Sequence, residues 1–142
     1  MRSLDWIMED IEALVADITD LRAVYRAEPN IHKESNKTLI SACAFLYSAA
    51  HLISVRRAIE GLSAADGEQE MSEEITDIQQ NLRGMPKPRR QSDWISQVYL
   101  GRAKRLFNET VSQVGKTMTE CEPSSDLRFF WGTVARDIVS SH

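Results

Sequence analysis

The chain has 142 residues, of which 42% are hydrophobic and 27% charged, and its formal net charge is −4. This length and composition are typical of one soluble globular domain, residues 1–142, large enough to bury a core without disulfides or a structural metal. Cys43 and Cys121 belong to no CxxC or Cys/His cluster and the N-terminus is acidic, which disfavours zinc and excludes a secretory signal, so we predict a cytoplasmic protein.

The first segment carries a regular apolar pattern that predicts a helix packed at a shallow angle against other helices. Acidic residues occupy the opposite face, and Ser3 can cap the start of the helix. Pro29 and Asn30 are expected to end it. The apolar positions alternate steps of three and four residues: Leu4, Ile7, Ile11, Leu14, Ile18, Leu21 and Tyr25.

A second helix is predicted from about residue 36 to residue 60. It contains an 18-residue stretch without a charge, Thr38 to Val55, which is close to the length of a membrane span. Several Ser, Thr and Ala residues lower its hydropathy, so we interpret it as the buried central helix of a bundle. His51 lies in this stretch and is expected to be a core histidine.

The end of this second helix has its own signals. Arg56, Arg57 and Glu60 are expected to emerge into water, with Arg56 and Glu60 spaced to form an ion pair. Gly61 is a candidate for a left-handed C-terminal cap. The segment SAADGEQE, residues 63–70, is read as a linker.

A shorter third helix, roughly residues 72–83, is predicted from an apolar seam at Met71, Ile75, Ile78 and Leu82. Gly84, Pro86 and Pro88 end it in an extended loop. A fourth helix spans about residues 93–120, with Ser92 as its N-cap. Its predicted core stripe is Ile95, Tyr99, Ala103, Phe107, Val111, Val114, Met118 and Cys121.

A final helix is predicted from about residue 125 to the C-terminus. Its apolar positions are Leu127, Trp131, Val134 and Ile138. Six Gly and four Pro are few, and every strong period lies near 3.5 or 3.6 residues. We therefore predict an all-α, single-domain bundle of four to five helices.

Charge is strongly segregated along the chain. Residues 1–82 hold 7 basic and 15 acidic side chains, a net charge of −8, whereas residues 83–142 hold 10 basic and 6 acidic side chains, a net charge of +4. An acidic block between residues 60 and 77 runs directly into a basic one. Such a dipolar molecule is expected to recognise another copy of itself, a protein partner or a polyanion.

The basic block is the candidate binding site for a nucleic acid or an acidic partner. Trp94 and Tyr99 are interleaved with its cations and could stack on bases. Alternatively the block only balances the neighbouring acidic segment, and Arg105 has Glu109 at the spacing of an intrahelical ion pair. The candidate residues are Arg83, Lys87, Arg89, Arg90, Arg102, Lys104 and Arg105.

The last residues of the chain read RDIVSSH, with Arg136 and His142 in an Arg-x5-His arrangement. This spacing resembles the Arg-x4–6-His signature of the HEPN ribonuclease superfamily, whose members are helical bundles that typically cut RNA as dimers. The resemblance covers seven residues and implies that Arg136 and His142 would act on a scissile phosphate. Arg26 and His32 show the same spacing.

Because motifs for nucleotide binding, metal ligation and nucleophilic catalysis are missing from the sequence, we predict a non-enzymatic interaction protein without a cofactor. It would be a small subunit, adaptor or inhibitor that docks to a protein or ribonucleoprotein. Exposed aromatic residues, namely Trp6, Phe129 and Phe130, are expected to supply contact points. Nucleic-acid-backbone binding and the ribonuclease are the alternatives, and a homodimer is expected.

Overall fold

The computed structural model describes residues 2–85, 87 and 92–120, with the backbone alone for 116–120. Within these residues there are four α-helices and no strand, which confirms the predicted all-α bundle. The helices are α1 (Leu4–Arg26), α2 (Lys33–Ala58), α3 (Ala64–Arg83) and α4 (Trp94–Glu120), with a short 3₁₀ turn at Ile59–Gly61 between α2 and α3. The fifth predicted helix lies outside the described residues.

Contacts between helix ends establish an up-down-up-down order. Arg57 near the end of α2 contacts Asp5 at the start of α1, so these two helices are antiparallel. Tyr25 at the end of α1 bonds Asp93 at the start of α4, so α1 and α4 are also antiparallel. The most extensive helix contact is between α2 and α4, which places α2 at the centre of the bundle.

The seam predicted for α1 is confirmed. Ser3 accepts a hydrogen bond from the backbone amide of Trp6 and caps the helix as expected. Leu4 and Leu21 are half-buried at the seam's margins. The remaining seam residues are buried in the core: Ile7, Ile11, Leu14, Ile18 and Tyr25.

Two predictions for α2 are wrong. His51 is not a core residue, because its side chain is 54% exposed and lies 3.2 Å from a carboxylate oxygen of Glu74 on α3. Arg56 does not emerge into water: it is 2% exposed, although its predicted ion pair with Glu60 forms at 3.2 Å. The long alkyl stem of Arg56 packs inside the bundle while its guanidinium reaches Glu60 near the surface.

Two boundary predictions around α3 are also wrong. Gly61 lies in the 3₁₀ turn rather than in a left-handed cap. The supposed linker is helical from Ala64, because Ser63 accepts a hydrogen bond from the amide of Asp66 and Gly67 packs into the core. The seam at Met71, Ile75, Ile78 and Leu82 is buried as predicted.

The segment from Lys33 to Gly61 is long and apolar enough to cross a membrane by length and composition, with a mean hydropathy of 1.6 over its best 18-residue window. Central helices of soluble proteins meet the same criterion. Here 44% of that window is buried inside the bundle.

The first turns of α4 differ most from expectation. Asp93, not Ser92, caps the helix, since its carboxylate accepts a hydrogen bond of 2.7 Å from the Ser96 amide. Ser96 and Leu100 are buried, whereas Ile95 of the predicted stripe is 37% exposed. The stripe is confirmed further along, at Ala103, Phe107, Val111 and Val114. Cys121 lies outside the described residues.

Candidate functional site

The start of α4 is held in place by a cluster of polar side chains, which we call the end cluster. Ser92 bonds Thr38 and donates to the carbonyl oxygen of Glu34 at 3.1 Å. The Asp93 amide donates to the Ser35 hydroxyl at 2.9 Å. These bonds tie Ser92 and Asp93, the two residues before α4, to the first turns of α2. Tyr25 of α1 completes the cluster by donating to Asp93.

Two ionisable groups in the end cluster are shifted. Burial and the hydrogen bond to Asp93 raise the pKa of Tyr25 to about 12. Burial would raise the pKa of the Asp93 carboxyl, but hydrogen bonds from Tyr25, Ser96 and Ser35 outweigh it and hold that pKa below its ordinary value. The charged Asp93 is therefore a stabilising anchor for the helix N-terminus.

Because this anchor fixes the rotation of α4, several large side chains of its first half point into solvent. Trp94 is 72% exposed and Val98 is 43% exposed. Arg102 and Arg105, one and two turns further on, are exposed as well. At about 100° per residue these four positions fall within about 80° of one another, so they form a single stripe, the α4 face, that is apolar at its start and basic at its end.

The cations of the α4 face also line an open groove between α1 and α4. The groove has a volume of about 370 Å³. Leu14, Ala13 and Leu106 form its apolar lining, and Asp17 of α1 stands across from Arg102 and Arg105.

One end of the groove is closed by a three-residue ion cluster. Arg2 donates from its Nε to a carboxylate oxygen of Glu109 at 3.0 Å and also pairs with Asp10. Glu109 is thus engaged by Arg2, and the predicted intrahelical pair between Arg105 and Glu109 is not formed. This leaves Arg105 and Arg102 without an ion pair inside 4.0 Å among the described residues.

Beyond the groove, toward the start of α4, the exposed side chains are apolar. Helical spacing places Val24 on the same face of α1 as Ala13 and Asp17. Because α1 and α4 are antiparallel, this level of α1 adjoins the first turns of α4, where Trp94 and Val98 are exposed. Val24 is itself 64% exposed. Exposed apolar side chains of both helices therefore lie at the end of the bundle away from the ion cluster.

Among the described residues, the basic residues predicted from the sequence lie along α4 and near the end of α3. Lys104 lies with its Nζ 5.7 Å from the ring centre of Phe45, and Arg102 lies 6.0 Å from that of Tyr99. Both cations are exposed to solvent. Arg83 and Lys87 are exposed near the end of α3. Arg89 and Arg90 lie outside the described residues.

Most of the acidic block lies on α3, which places several of its carboxylates on one side of the helix. Asp66, Glu70, Glu73 and Asp77 are all exposed and repeat at helical spacing, so they form one stripe along α3. In the part of the chain that the structure describes, no ion pair joins this acidic stripe to Arg102, Lys104 or Arg105. Direct pairing between these two groups of charges is therefore not what holds α3 against α4.

The other candidate residues divide between the surface and the undescribed part of the chain. Trp6 is 63% exposed, as expected for a contact residue. His32 stacks on Tyr25 with ring centres 4.2 Å apart, which places it beside the end cluster. Phe129, Phe130, Arg136 and His142 lie outside the described residues.

The sequence showed that Trp94 lies between basic residues, but it did not show that Trp94 is on an exposed face of α4. The available signal was Asp93, whose spacing to Ser96 is that of an N-cap to the third helical residue.

Comparison with known proteins gives no relative. No protein-family model matches the sequence, and no curated protein or solved structure shows significant similarity to it.

Proposed function

We propose that this chain is a non-enzymatic helical interaction protein, a small subunit, adaptor or inhibitor, that docks to an acidic protein partner through the α4 face. The observation that carries the proposal is the exposed run of Trp94, Val98, Arg102 and Arg105 along one helix stripe. Trp and Arg are the residues most enriched among those that dominate binding energy at protein interfaces.

The charges around the α4 face suit this role. Arg102 and Arg105 are both exposed and are presented together on one stripe of α4. Exposed arginines can form paired hydrogen bonds with a carboxylate, which adds orientation as well as affinity. Asp17 across the groove disfavours an acidic group placed on the α1 side, so the carboxylates of the partner are expected on the outer side of α4.

The groove offers little for catalysis. Its described lining consists of Arg, Asp, Glu, Ala and Leu residues, without a Ser, Thr, Cys or His that could act as a nucleophile or a near-neutral base. Two of its carboxylates, Asp10 and Glu109, are already engaged by Arg2. The surface is accordingly better suited to recognition than to chemistry.

The test is affinity capture from the native host with the tagged protein, comparing wild type with Arg102→Glu/Arg105→Glu and with Trp94→Ala. The matched control is Arg26→Glu, which reverses an exposed cation at the end of α1. We expect a protein captured by wild type and by the control to be lost, or reduced at least about tenfold, with both α4 variants. Equal capture by all four proteins would contradict the proposal.

A nucleic-acid backbone is the alternative ligand for the same cations, and the same experiment separates it from a protein. Nuclease treatment should leave capture of an acidic protein intact but abolish capture through RNA. Each neutralised phosphate of a duplex also adds about −0.9 to the slope of log affinity against log salt. Nuclease-sensitive capture with a slope of several units would favour the nucleic-acid alternative.

A further inference from the structure

The outer side of α2 presents a second surface, separate from the α4 face. Ile40 and Tyr47 are 48% and 60% exposed, and the side chain of His51 is 54% exposed. Ser54 and Ala58 continue the row toward the end of the helix and are also exposed. At about 100° per residue these positions fall within about 60° of one another, so they form one stripe, which we call the α2 face.

The α2 face combines an apolar character with incomplete burial. All of its residues except Ala58 lie within the charge-free stretch Thr38 to Val55, which has a mean hydropathy of 1.6 and is 44% buried. The stripe from residue 40 to residue 58 extends about 27 Å along the helix at 1.5 Å per residue. Ile40 and Tyr47, two turns apart, are the large hydrophobic side chains that this stripe exposes.

The charges elsewhere on the bundle limit which of its faces can meet a copy of itself. The outer side of α1 carries carboxylates, and α3 presents the acidic stripe of Asp66, Glu70, Glu73 and Asp77. An isologous dimer brings the same patch of each copy together, so a charged patch at its axis meets its own sign. The α2 face has no formal charge in its central turns and can meet a copy of itself without that repulsion.

We infer that the α2 face is the contact surface for a second copy of this chain, packed against it about a two-fold axis. Antiparallel pairing of the two α2 helices sets the two Tyr47 side chains near the axis and brings Ile40 of each copy toward Ser54 of the other. The small residues Ala44, Ser54 and Ala58 allow the helices to approach closely. Charged groups lie beside the face: Lys37 pairs with Glu34 at 3.5 Å, and Glu74 of α3 lies 3.2 Å from His51.

This inference uses a different surface from the proposed function and does not depend on it. Because an apolar contact is not screened by ions, the dimer should persist at about 1 M salt, where the Debye length is about 3 Å. A dimer formed by pairing the acidic and basic halves of the chain should instead dissociate as salt is raised. Salt dependence therefore separates the two modes of self-association.

Sedimentation velocity of the full chain over a range of concentrations tests the inference. Wild type should be dimeric at low and high salt, and Tyr47→Glu should be monomeric with its helical circular dichroism unchanged. Val24→Glu is the matched control, because Val24 is 64% exposed on α1 and its substitution adds the same charge elsewhere. The control should remain dimeric.

A cysteine variant tests the same interface by cross-linking the dimer instead of disrupting it. Tyr47→Cys should form a disulfide-linked dimer on mild oxidation, because residues near a two-fold axis meet their own copies. Val24→Cys keeps the same endogenous cysteines and should not cross-link. Equal cross-linking of the two variants would contradict the inference.

Other outcomes would assign the α2 face to another occupant and overturn the inference. A wild-type monomer that loses thermal stability on Tyr47→Glu would show that the face is covered within the chain. A monomer that cosediments with vesicles of neutral phosphatidylcholine, and no longer does so as Tyr47→Glu, would show that a bilayer covers it. A dimer unaffected by Tyr47→Glu would place the interface on a different surface.

Discussion

Single residues in this protein act mainly through the bonds that fix helix ends. Asp93 illustrates this: its carboxylate caps α4 and accepts a hydrogen bond from Tyr25, and its backbone amide donates to the Ser35 hydroxyl. Three helices meet at that residue. Its ionisation is therefore linked to the stability of the fold.

Replacing Asp93 with Ala should lower the free energy of unfolding at neutral pH by about 2 kcal/mol, through loss of the cap and of the Tyr25 hydrogen bond. The folded-state pKa of Asp93 lies below its unfolded value, so its contribution is present above about pH 4 and is lost as pH falls through the folded value. Urea unfolding of wild type and variant, from neutral to acidic pH, should show the difference shrinking.

Asp77→Ala on the exposed acidic stripe is the control for that measurement. It removes a carboxylate without a described hydrogen bond and should leave stability within about 0.5 kcal/mol of wild type. A difference between wild type and Asp93→Ala that stays constant down to the lowest pH would show that the charge of Asp93 does not contribute.

The residues that sequence reasoning misplaced share a physical cause. His51 and Arg56 lie in a helix that is apolar over most of its circumference, and composition does not tell which side of such a helix faces water. Arg56 is 2% exposed because its stem packs between helices, whereas His51 points outward to Glu74. These orientations depend on α3 and α4 packing around α2, which no local pattern encodes.

At the scale of whole helices, sequence was most informative where one side of a helix is clearly apolar. The seams of α1 and α3 were predicted residue by residue, since alternating steps of three and four leave one register that buries every apolar side chain. The start of α3 was missed because Gly67 and its polar neighbours resemble a loop. Burial of Gly67 against the bundle makes that turn helical.

The buried side of the first turns of α4 was predicted wrongly. Periodicity favoured burying Ile95 and Tyr99, but the end cluster rotates the helix so that Ser96 is buried and Trp94, Ile95 and Val98 are exposed. Exposing three large apolar side chains while burying a serine runs against the hydrophobic effect. Departures of this kind are expected at functional surfaces, and this one coincides with the α4 face.

The α1 seam gives a direct test at this scale. Leu14 is 2% exposed, and Leu14→Asp would bury an unpaired carboxylate at a cost of several kcal/mol, comparable to the stability of a whole domain. We expect this variant to lose its cooperative thermal transition by circular dichroism. Ala16→Asp, two residues along on the exposed side, should remain folded. Similar melting of both variants would contradict the assigned register.

At the scale of the whole molecule, the acidic, the mixed and the uncharged surfaces lie on different helices. The acidic stripe lies on α3. The α4 face carries both apolar and basic side chains, and the α2 face is uncharged. Sequence predicted the segregation of charge along the chain but not its distribution over helix faces, because that depends on how each helix is rotated in the bundle. Such a division allows self-association and partner binding to use separate surfaces.

The non-enzymatic proposal makes its own prediction about the last residues of the chain. The purified protein should leave single-stranded RNA intact, and removing residues 140–142 should change neither its stability nor its partner binding. Incubation with labelled RNA, followed by gel electrophoresis, checks this. Cleavage by wild type that disappears in both Arg136→Ala and His142→Ala, with circular dichroism unchanged, would instead establish the ribonuclease alternative.

Docking of the partner on the α4 face can be measured by hydroxyl-radical footprinting of the chain with and without its captured partner. Trp94 and Trp6 are matched reporters, since both are exposed indoles, 72% and 63%, on different helices. We expect the partner to slow oxidation of Trp94 severalfold and to leave that of Trp6 unchanged. Unchanged oxidation of Trp94 in a saturated complex would contradict docking on this face.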